Sequence, residues 1–242
     1  MHIPDGYLSP QTYLPLYAAF AGFMAAALRK MKKTLSAKNI PYLGMASAFS
    51  FLIMMFNVPI PGGTTGHAVG AGIVALILGP WTALIAVSVA LIIQALLFGD
   101  GGITAIGANC VNMAVVMPFV SVWVFKLFRG KAPGGWRVYT AAFLSGYAGL
   151  AAAAVTTAVE FGIQPLIASS NGRPLYAPYG LEIALPVMAL EHLLLFCVIE
   201  GLVTMLVLRY FLKNDPGSVY AMPRQSSAQA PRQSSAQAKE VK

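Results

Sequence analysis

Long apolar runs broken by short turns constrain this chain more than any other feature of its sequence. Several of them approach or exceed the ~20 residues that a helix needs to cross the hydrocarbon core of a bilayer. Hydrophobic residues make up 57% of the 242 residues and charged residues 10%, whereas about a quarter of a soluble domain is charged. We therefore expect an all-α polytopic membrane protein, a bundle of about seven transmembrane helices.

The predicted spans follow from the positions of these runs. The third is short and ends at Gly79-Pro80, which makes it the weakest of the predicted spans. The spans cover about 11–28, 41–57, 68–79, 82–98, 103–127, 138–160 and 181–211.

The positions of the basic residues predict the orientation of the bundle. The net charge is +8, but most lysines and arginines form clusters between apolar runs, which is typical of membrane topology and not of a nucleic-acid-binding surface. These clusters occupy 29–38, 129–137 and the chain after Arg209, whereas Arg173 falls in a predicted outer loop. Because positive charge concentrates on the cytoplasmic side, we expect the N-terminus outside and the C-terminus in the cytoplasm.

The two ends of the chain differ in character. The N-terminus reads MHIPDGYLSP, without the cationic and apolar regions of a signal peptide. The C-terminus repeats PRQSSAQA at 223–230 and 231–238, a composition that buries too little apolar surface to fold. We therefore divide the chain into a transmembrane domain at 1–212 and a disordered cytoplasmic tail at 213–242.

The first two residues carry three nitrogens in sequence: the α-amine of Met1, the amide of His2 and the His2 imidazole. The amine and the amide would close a five-membered chelate ring on a metal ion, and the amide and Nδ1 a six-membered ring. Three roughly coplanar nitrogens suit a tetragonal ion such as Ni(II) or Cu(II). Because the amide must lose its proton, binding would depend on pH.

His67 is the candidate for a fourth nitrogen. It ends the glycine-rich loop PGGTTGH, on the predicted outer side with Met1, whereas His192 falls within the seventh span. Two simpler interpretations remain open. A histidine at position 2 is commonly a mobile terminal residue, and a single loop histidine is commonly only polar.

Three motifs, MHIPDGYLSP at 1–10, PGGTTGHAVG at 61–70 and GDGGITAIGANCVNMAV at 100–116, resemble the NikM/CbiM family over about residues 1–212. Its members are the substrate-binding S components of energy-coupling factor (ECF) transporters for nickel and cobalt. The resemblance implies a metal site outside the prokaryotic cell membrane, made by Met1, His2 and His67. It also implies a non-catalytic subunit served by a membrane coupling (T) subunit, two cytoplasmic ATPases and, in some members, a small additional membrane subunit.

Two further sets of residues are candidates for supporting roles. Asp5 and Asp100 are predicted on the outer side, where a carboxylate could orient an imidazole bound to the metal; a turn at GDGG is the alternative for Asp100. Ala18, Gly22 and Ala26 form a stripe of small residues along the first span. The resemblance suggests that this stripe meets the coupling subunit, and packing within the bundle is the alternative.

The seventh span contains three more polar residues, Glu191, His192 and Glu200. At 100° per residue they do not share one helix face, so we interpret them as a buried polar network or a subunit contact, with metal transit as the alternative.

The predicted substrate is Ni(II), or alternatively Co(II) for cobalamin synthesis. Rival functions are a self-sufficient metal channel or secondary transporter and an intramembrane metalloenzyme.

Overall fold

The computed structural model describes residues 1–32, 40–60, 64–130 and 135–222. Within these ranges the chain forms seven helices, and two short antiparallel hairpins join some of them. The helices are α1 (Pro10–Met31), α2 (Ile40–Met54), α3 (Ala71–Leu78), α4 (Pro80–Phe98), α5 (Ile106–Phe128), α6 (Trp136–Ile167) and α7 (Leu181–Asn214). The hairpins pair β1 (Val58–Ile60) with β2 (Thr64–Gly66), and β3 (Ser169–Ser170) with β4 (Arg173–Pro174).

Three of the helices contain wider, π-helical turns, and α6 has a break near its end. The regular part of α6 ends at Gly162 and one further turn follows. The π-helical segments are Gln94–Phe98 in α4, Cys110–Val116 in α5 and His192–Phe196 in α7. Such turns are rare in proteins as a whole, and those that occur are often at functional sites.

Proline and glycine determine where α4 begins and ends. Pro80 occupies its first position, where the missing N–H removes no helical hydrogen bond. Gly79 and Gly99 flank the helix with φ of 89° and 65°, backbone conformations that glycine adopts without steric cost. The Gly79-Pro80 pair therefore separates α3 from α4, as its position in the sequence indicated.

The seven helices correspond to the seven predicted spans, and the all-α membrane fold is confirmed. Four of the described helices, α4 to α7, are long and apolar enough to cross a membrane by themselves. Of the other three helices, α3 is the shortest. Helix α3 has eight residues and rises only about 12 Å, because the chain from Thr64 to Gly70 is not helical.

Glycines allow the central helices to approach closely. A Cβ atom on Gly149 of α6 would lie 2.1 Å from Ser121 Oγ of α5, and one on Gly146 would lie 2.5 Å from Thr204 Oγ1 of α7. Small residues at such contacts let helix backbones pack against each other within a bilayer. Helix α6 is therefore the element around which α5 and α7 pack.

The chain beyond α7 folds back against the end of α3. Tyr220 N and Ala221 N donate to the carbonyls of Ile77 and Leu76, both at 3.0 Å. Helix α7 continues to Asn214, and the chain that the structure describes after it continues to residue 222. The octapeptide repeats lie outside the described residues, as do Lys33, Lys38, Lys131 and the loop at 61–63.

Candidate metal centre

The N-terminal segment enters the helix bundle instead of lying on its surface. The side chain of Met1 is fully buried in a cluster that includes Met54, Val69 and Phe196. His2 is 3% exposed and Ile3 is fully buried. The chain terminus is thus a core element, and its α-amine lies inside the protein.

Asn109 of α5 fixes the main chain directly after His2. Its Oδ1 accepts from Ile3 N at 2.9 Å, and its Nδ2 donates to Ile3 O at 3.2 Å. Gly102 N also donates to Ile3 O, at 2.8 Å. These bonds satisfy both buried polar groups of Ile3 and determine how far the terminus reaches into the bundle.

Asp5 holds the same segment further out. Its carboxylate accepts from Ile103 N at 3.1 Å, from Thr104 N at 2.8 Å and from Thr104 Oγ1 at 2.5 Å. Partial burial alone would raise the pKa of Asp5, but these hydrogen bonds hold it below its usual value. Asp5 therefore anchors the N-terminal segment to the start of α5, and no hydrogen bond joins it to either imidazole among the described contacts.

His67 lies beside His2, although 65 positions separate them in the chain. Their rings stack with centroids 4.5 Å apart and planes 28° apart. Thr64 Oγ1 donates to His2 O at 3.0 Å, which joins the β1–β2 hairpin to the terminus. The structure thus brings together the three residues that the sequence selected.

The tautomer of His67 follows from its neighbour. His67 Nδ1 lies 3.1 Å from Ala68 O, and because a carbonyl oxygen only accepts, Nδ1 carries the proton. The lone pair is then on Nε2, which is buried without a hydrogen-bond partner, as are both ring nitrogens of His2. Buried polar atoms rarely remain unpartnered, so this group of nitrogens is suited to a ligand.

Burial also keeps the candidate donors unprotonated. It lowers the pKa of the Met1 amine to about 4 and that of the His2 imidazole to about 3, and it lowers the pKa of His67 well below its usual value. All three groups are therefore neutral at pH 7. Neutral nitrogens offer lone pairs, which is the state that metal binding requires.

Asp100, in the loop after α4, lies at the edge of this group. Its Oδ1 is 3.3 Å from His2 Nδ1 without the direction of a hydrogen bond, and Oδ2 accepts from Asn57 at 3.0 Å. Burial raises the pKa of Asp100, while the hydrogen bond from Asn57 and, wherever it is protonated, the Met1 amine oppose that shift. Asp100 therefore places a carboxylate oxygen beside the His2 ring without bonding to it.

Gln94 is a residue that sequence reasoning missed. It is fully buried at the π-helical end of α4, its amide lies beside the His2 imidazole, and its Oε1 has no partner. A glutamine near the end of an otherwise apolar helix was the available signal. Asn109, a polar residue in the third motif, carried a similar signal.

The candidate metal donors at the terminus include main-chain nitrogens as well as side chains. Among the described residues, no three His, Cys, Asp or Glu side chains lie close enough together to hold an ion. Two imidazoles, one amine and one amide are the nitrogens that converge at the terminus. Such an all-nitrogen set favours Ni(II) or Cu(II) over a hard cation.

The polar residues of α7 do not form a second centre. Glu200 is fully buried and binds backbone amides at the start of α3. His192 Nδ1 bonds to Met188 O at 2.9 Å within its own helix. Glu191 is half-buried. The hydrogen bonds of Glu200 and His192 go to the main chain and do not join these side chains to one another, so the three residues offer no shared catalytic face.

The small-residue stripe of α1 faces away from the bundle. Ala18 and Gly22 are exposed and Ala26 is half-buried, and a Cβ atom on Gly22 would meet nothing within 4 Å. Thr12 and Ala27 are the buried residues of this helix. Internal packing therefore does not explain Ala18 or Gly22.

The fold and this centre define a class: multi-pass helical membrane proteins with a buried nitrogen-rich site at the N-terminus. The profile of the CbiM family, described as a cobalt uptake substrate-specific transmembrane region, matches residues 2–218. The chain therefore belongs to the CbiM family, which confirms the resemblance seen in its motifs.

Named relatives are similar over most of the chain. A fused nickel transport protein NikMN of Rhodobacter capsulatus is 53% identical over 89% of this chain, and the match spans 63% of that longer protein. A putative metal transport protein of Methanocaldococcus jannaschii is 43% identical over 94% of this chain and 98% of its own length. A crystal structure of a truncated transition metal transporter superposes with a TM-score of 0.84 at 48% identity, covering 88% of this chain and 99% of that one.

Proposed function

We propose that this protein is the metal-capturing S component of an ECF-type importer and that its substrate is Ni(II). The ion would bind to the Met1 amine, the His2 amide and imidazole nitrogens, and the His67 imidazole. The observation that carries the proposal is the burial of a neutral chain terminus beside two imidazoles with unpartnered ring nitrogens.

Charge balance supports a divalent ion at this position. Ni(II) bound to a deprotonated amide leaves one net positive charge, because the amine and both imidazoles are neutral. The Asp100 carboxylate, 3.3 Å from His2 Nδ1, supplies one negative charge. A buried site disfavours uncompensated charge, so the filled centre would be close to neutral.

Nickel is favoured over cobalt by the donor set. Four nitrogens in a tetragonal arrangement suit a d8 ion, and Cu(II) would bind still more tightly on affinity alone. Relatives named as nickel transport proteins are 53% and 44% identical, and one named as the cobalt transport protein CbiM is 36% identical over 59% of this chain. Co(II) uptake is therefore the alternative substrate assignment.

We infer that the subunit is not catalytic and depends on partners for energy. The partners would be a membrane coupling subunit and two cytoplasmic ATPases, with the small additional membrane subunit that the resemblance implies for some members of the family. The exposed faces of Ala18 and Gly22 make the α1 stripe the candidate contact with the coupling subunit. The positive-inside pattern favours an orientation with the metal centre outside and the C-terminus in the cytoplasm.

Nickel binding by two chains tests the four-nitrogen site. One chain has the authentic terminus and the other has one alanine inserted between Met1 and His2; each is compared with its His67→Ala variant. Insertion moves the imidazole to position 3 and adds a second amide nitrogen, so that the terminus alone supplies four nitrogens.

The expected result is one Ni(II) in a planar, diamagnetic state in the authentic chain, with a visible absorption band that His67→Ala abolishes. In the inserted chain the same substitution should leave the band unchanged. The site would be refuted if nickel binding were the same in the authentic and inserted chains and were unchanged by His67→Ala in both. Metal uptake by this chain alone in liposomes without ATP would instead support a self-sufficient transporter.

A further inference from the structure

Glu200 is fully buried within α7 and contacts the chain directly before α3. Its Oε2 accepts from Val69 N at 2.8 Å and from Gly70 N at 2.9 Å. Gly70 is the residue before α3 begins, with φ of 73°. The carboxylate therefore occupies the N-terminal end of α3, where free N–H groups and the helix dipole attract negative charge.

This contact satisfies an irregular segment inside the bundle. Residues 67–70 are buried and are neither helix nor strand, so their N–H groups lack the partners that regular structure provides. Non-helical backbone within a membrane protein persists only where the protein supplies such partners. For Val69 and Gly70 the partner is one oxygen of one side chain.

His67 is two residues from the nearer of these bonds. The direction of its imidazole depends on the same stretch of main chain, because His67 Nδ1 bonds to Ala68 O at 3.1 Å. Phe196 packs against Gly66, the residue directly before His67: a Cβ atom on Gly66 would lie 1.9 Å from the Phe196 ring. Movement of the segment at Val69 would therefore turn the imidazole away from His2.

We propose that Glu200 is the positioning residue for His67: its carboxylate holds the segment at Val69 and Gly70 so that His67 Nε2 meets an ion bound to the chain terminus. This inference rests on the proposed nickel site. It assigns Glu200 a role in metal capture that does not require it to touch the ion.

Two substitutions separate position from charge. Glu200→Gln keeps the length of the side chain and an oxygen that can accept from both amides. Glu200→Asp keeps the charge but shortens the side chain by one methylene group. The matched control is Glu160→Gln, at a buried carboxylate of α6 that accepts from Asn112 at 2.7 Å.

The affinity for Ni(II) and the visible spectrum are measured for each purified variant, with and without His67→Ala. Glu200→Asp should weaken binding about tenfold, as loss of a residue that orients a ligand typically does. Glu200→Gln and the Glu160 control should stay within about threefold of the parent chain, because their hydrogen-bonding oxygens remain in reach. In the His67→Ala background Glu200→Asp should change binding by less than about twofold, since coupled residues are not additive.

Three results would overturn the inference: unchanged binding in Glu200→Asp, an equal loss with and without His67, or an equal loss in Glu200→Gln. If His67→Ala itself leaves nickel binding intact, the proposed site fails and not merely the role of Glu200. Thermal unfolding of each variant, measured without metal, identifies any loss of binding that reflects a loss of folded protein.

Discussion

Replacing Asn109 with alanine should weaken nickel binding without removing any metal-binding atom. The substitution deletes the acceptor of Ile3 N and one of the two donors to Ile3 O. Gly102 N still serves the carbonyl, but Ile3 N is left buried without a partner. That costs about 1–3 kcal/mol.

The unpartnered Ile3 N–H would lower the affinity for nickel by destabilising the inserted terminus. Three imidazole nitrogens at the centre lack hydrogen-bond partners, and each buried unpartnered group opposes insertion of the metal-free terminus. The inserted terminus is the state that would bind Ni(II). If Asn109→Ala destabilises that state by about 2 kcal/mol, the apparent affinity for Ni(II) should decrease by up to about thirtyfold.

Competition with a chelator of known nickel affinity, on protein purified in detergent, measures the change. Asn112→Ala is the control, because Asn112 is another buried amide of α5 but bonds to Glu160 and Thr157 instead of the terminus. If Asn109→Ala alters the affinity for nickel by less than about twofold, or by no more than the control does, the two hydrogen bonds between Asn109 and Ile3 do not control insertion of the terminus.

Further predictions concern the surroundings of the terminus. Because the Met1 amine and the His2 imidazole are neutral when folded but take up protons when unfolded, the unfolded state binds more protons between about pH 4 and 8. The melting temperature of the metal-free protein should therefore fall as pH is lowered from 8 to 5, and a flat profile would contradict their burial. Gly66→Ala should destabilise the protein by about 1–3 kcal/mol through overlap with the Phe196 ring; Phe196→Leu in the same chain should restore part of the melting temperature, and no restoration would place the strain elsewhere. Gln94→Leu should weaken nickel binding about tenfold by leaving the His2 ring without a neighbouring amide, with the folded fraction checked by circular dichroism.

The sequence by itself determined the membrane class, the number of helices and the nitrogens available at the terminus. Apolar runs and basic clusters are local signals, since each reflects only the length and charge that a bilayer accepts. The chelating potential of Met1 and His2 is local as well, because the three nitrogens are joined by covalent bonds. His67 was selectable because few histidines compete with it: the chain has three.

Only the tertiary structure decided how these nitrogens are held. Asn109 and Gln94 reach the terminus from helices far along the chain, and no periodicity marks an amide as a partner of the first three residues. The chain before the short third helix donates two hydrogen bonds to Glu200, 130 positions after Gly70, because one buried carboxylate can replace the hydrogen bonds that a longer helix would make internally. Such contacts arise from packing between distant segments, whereas helix propensity and charge patterning act within a few turns of the chain.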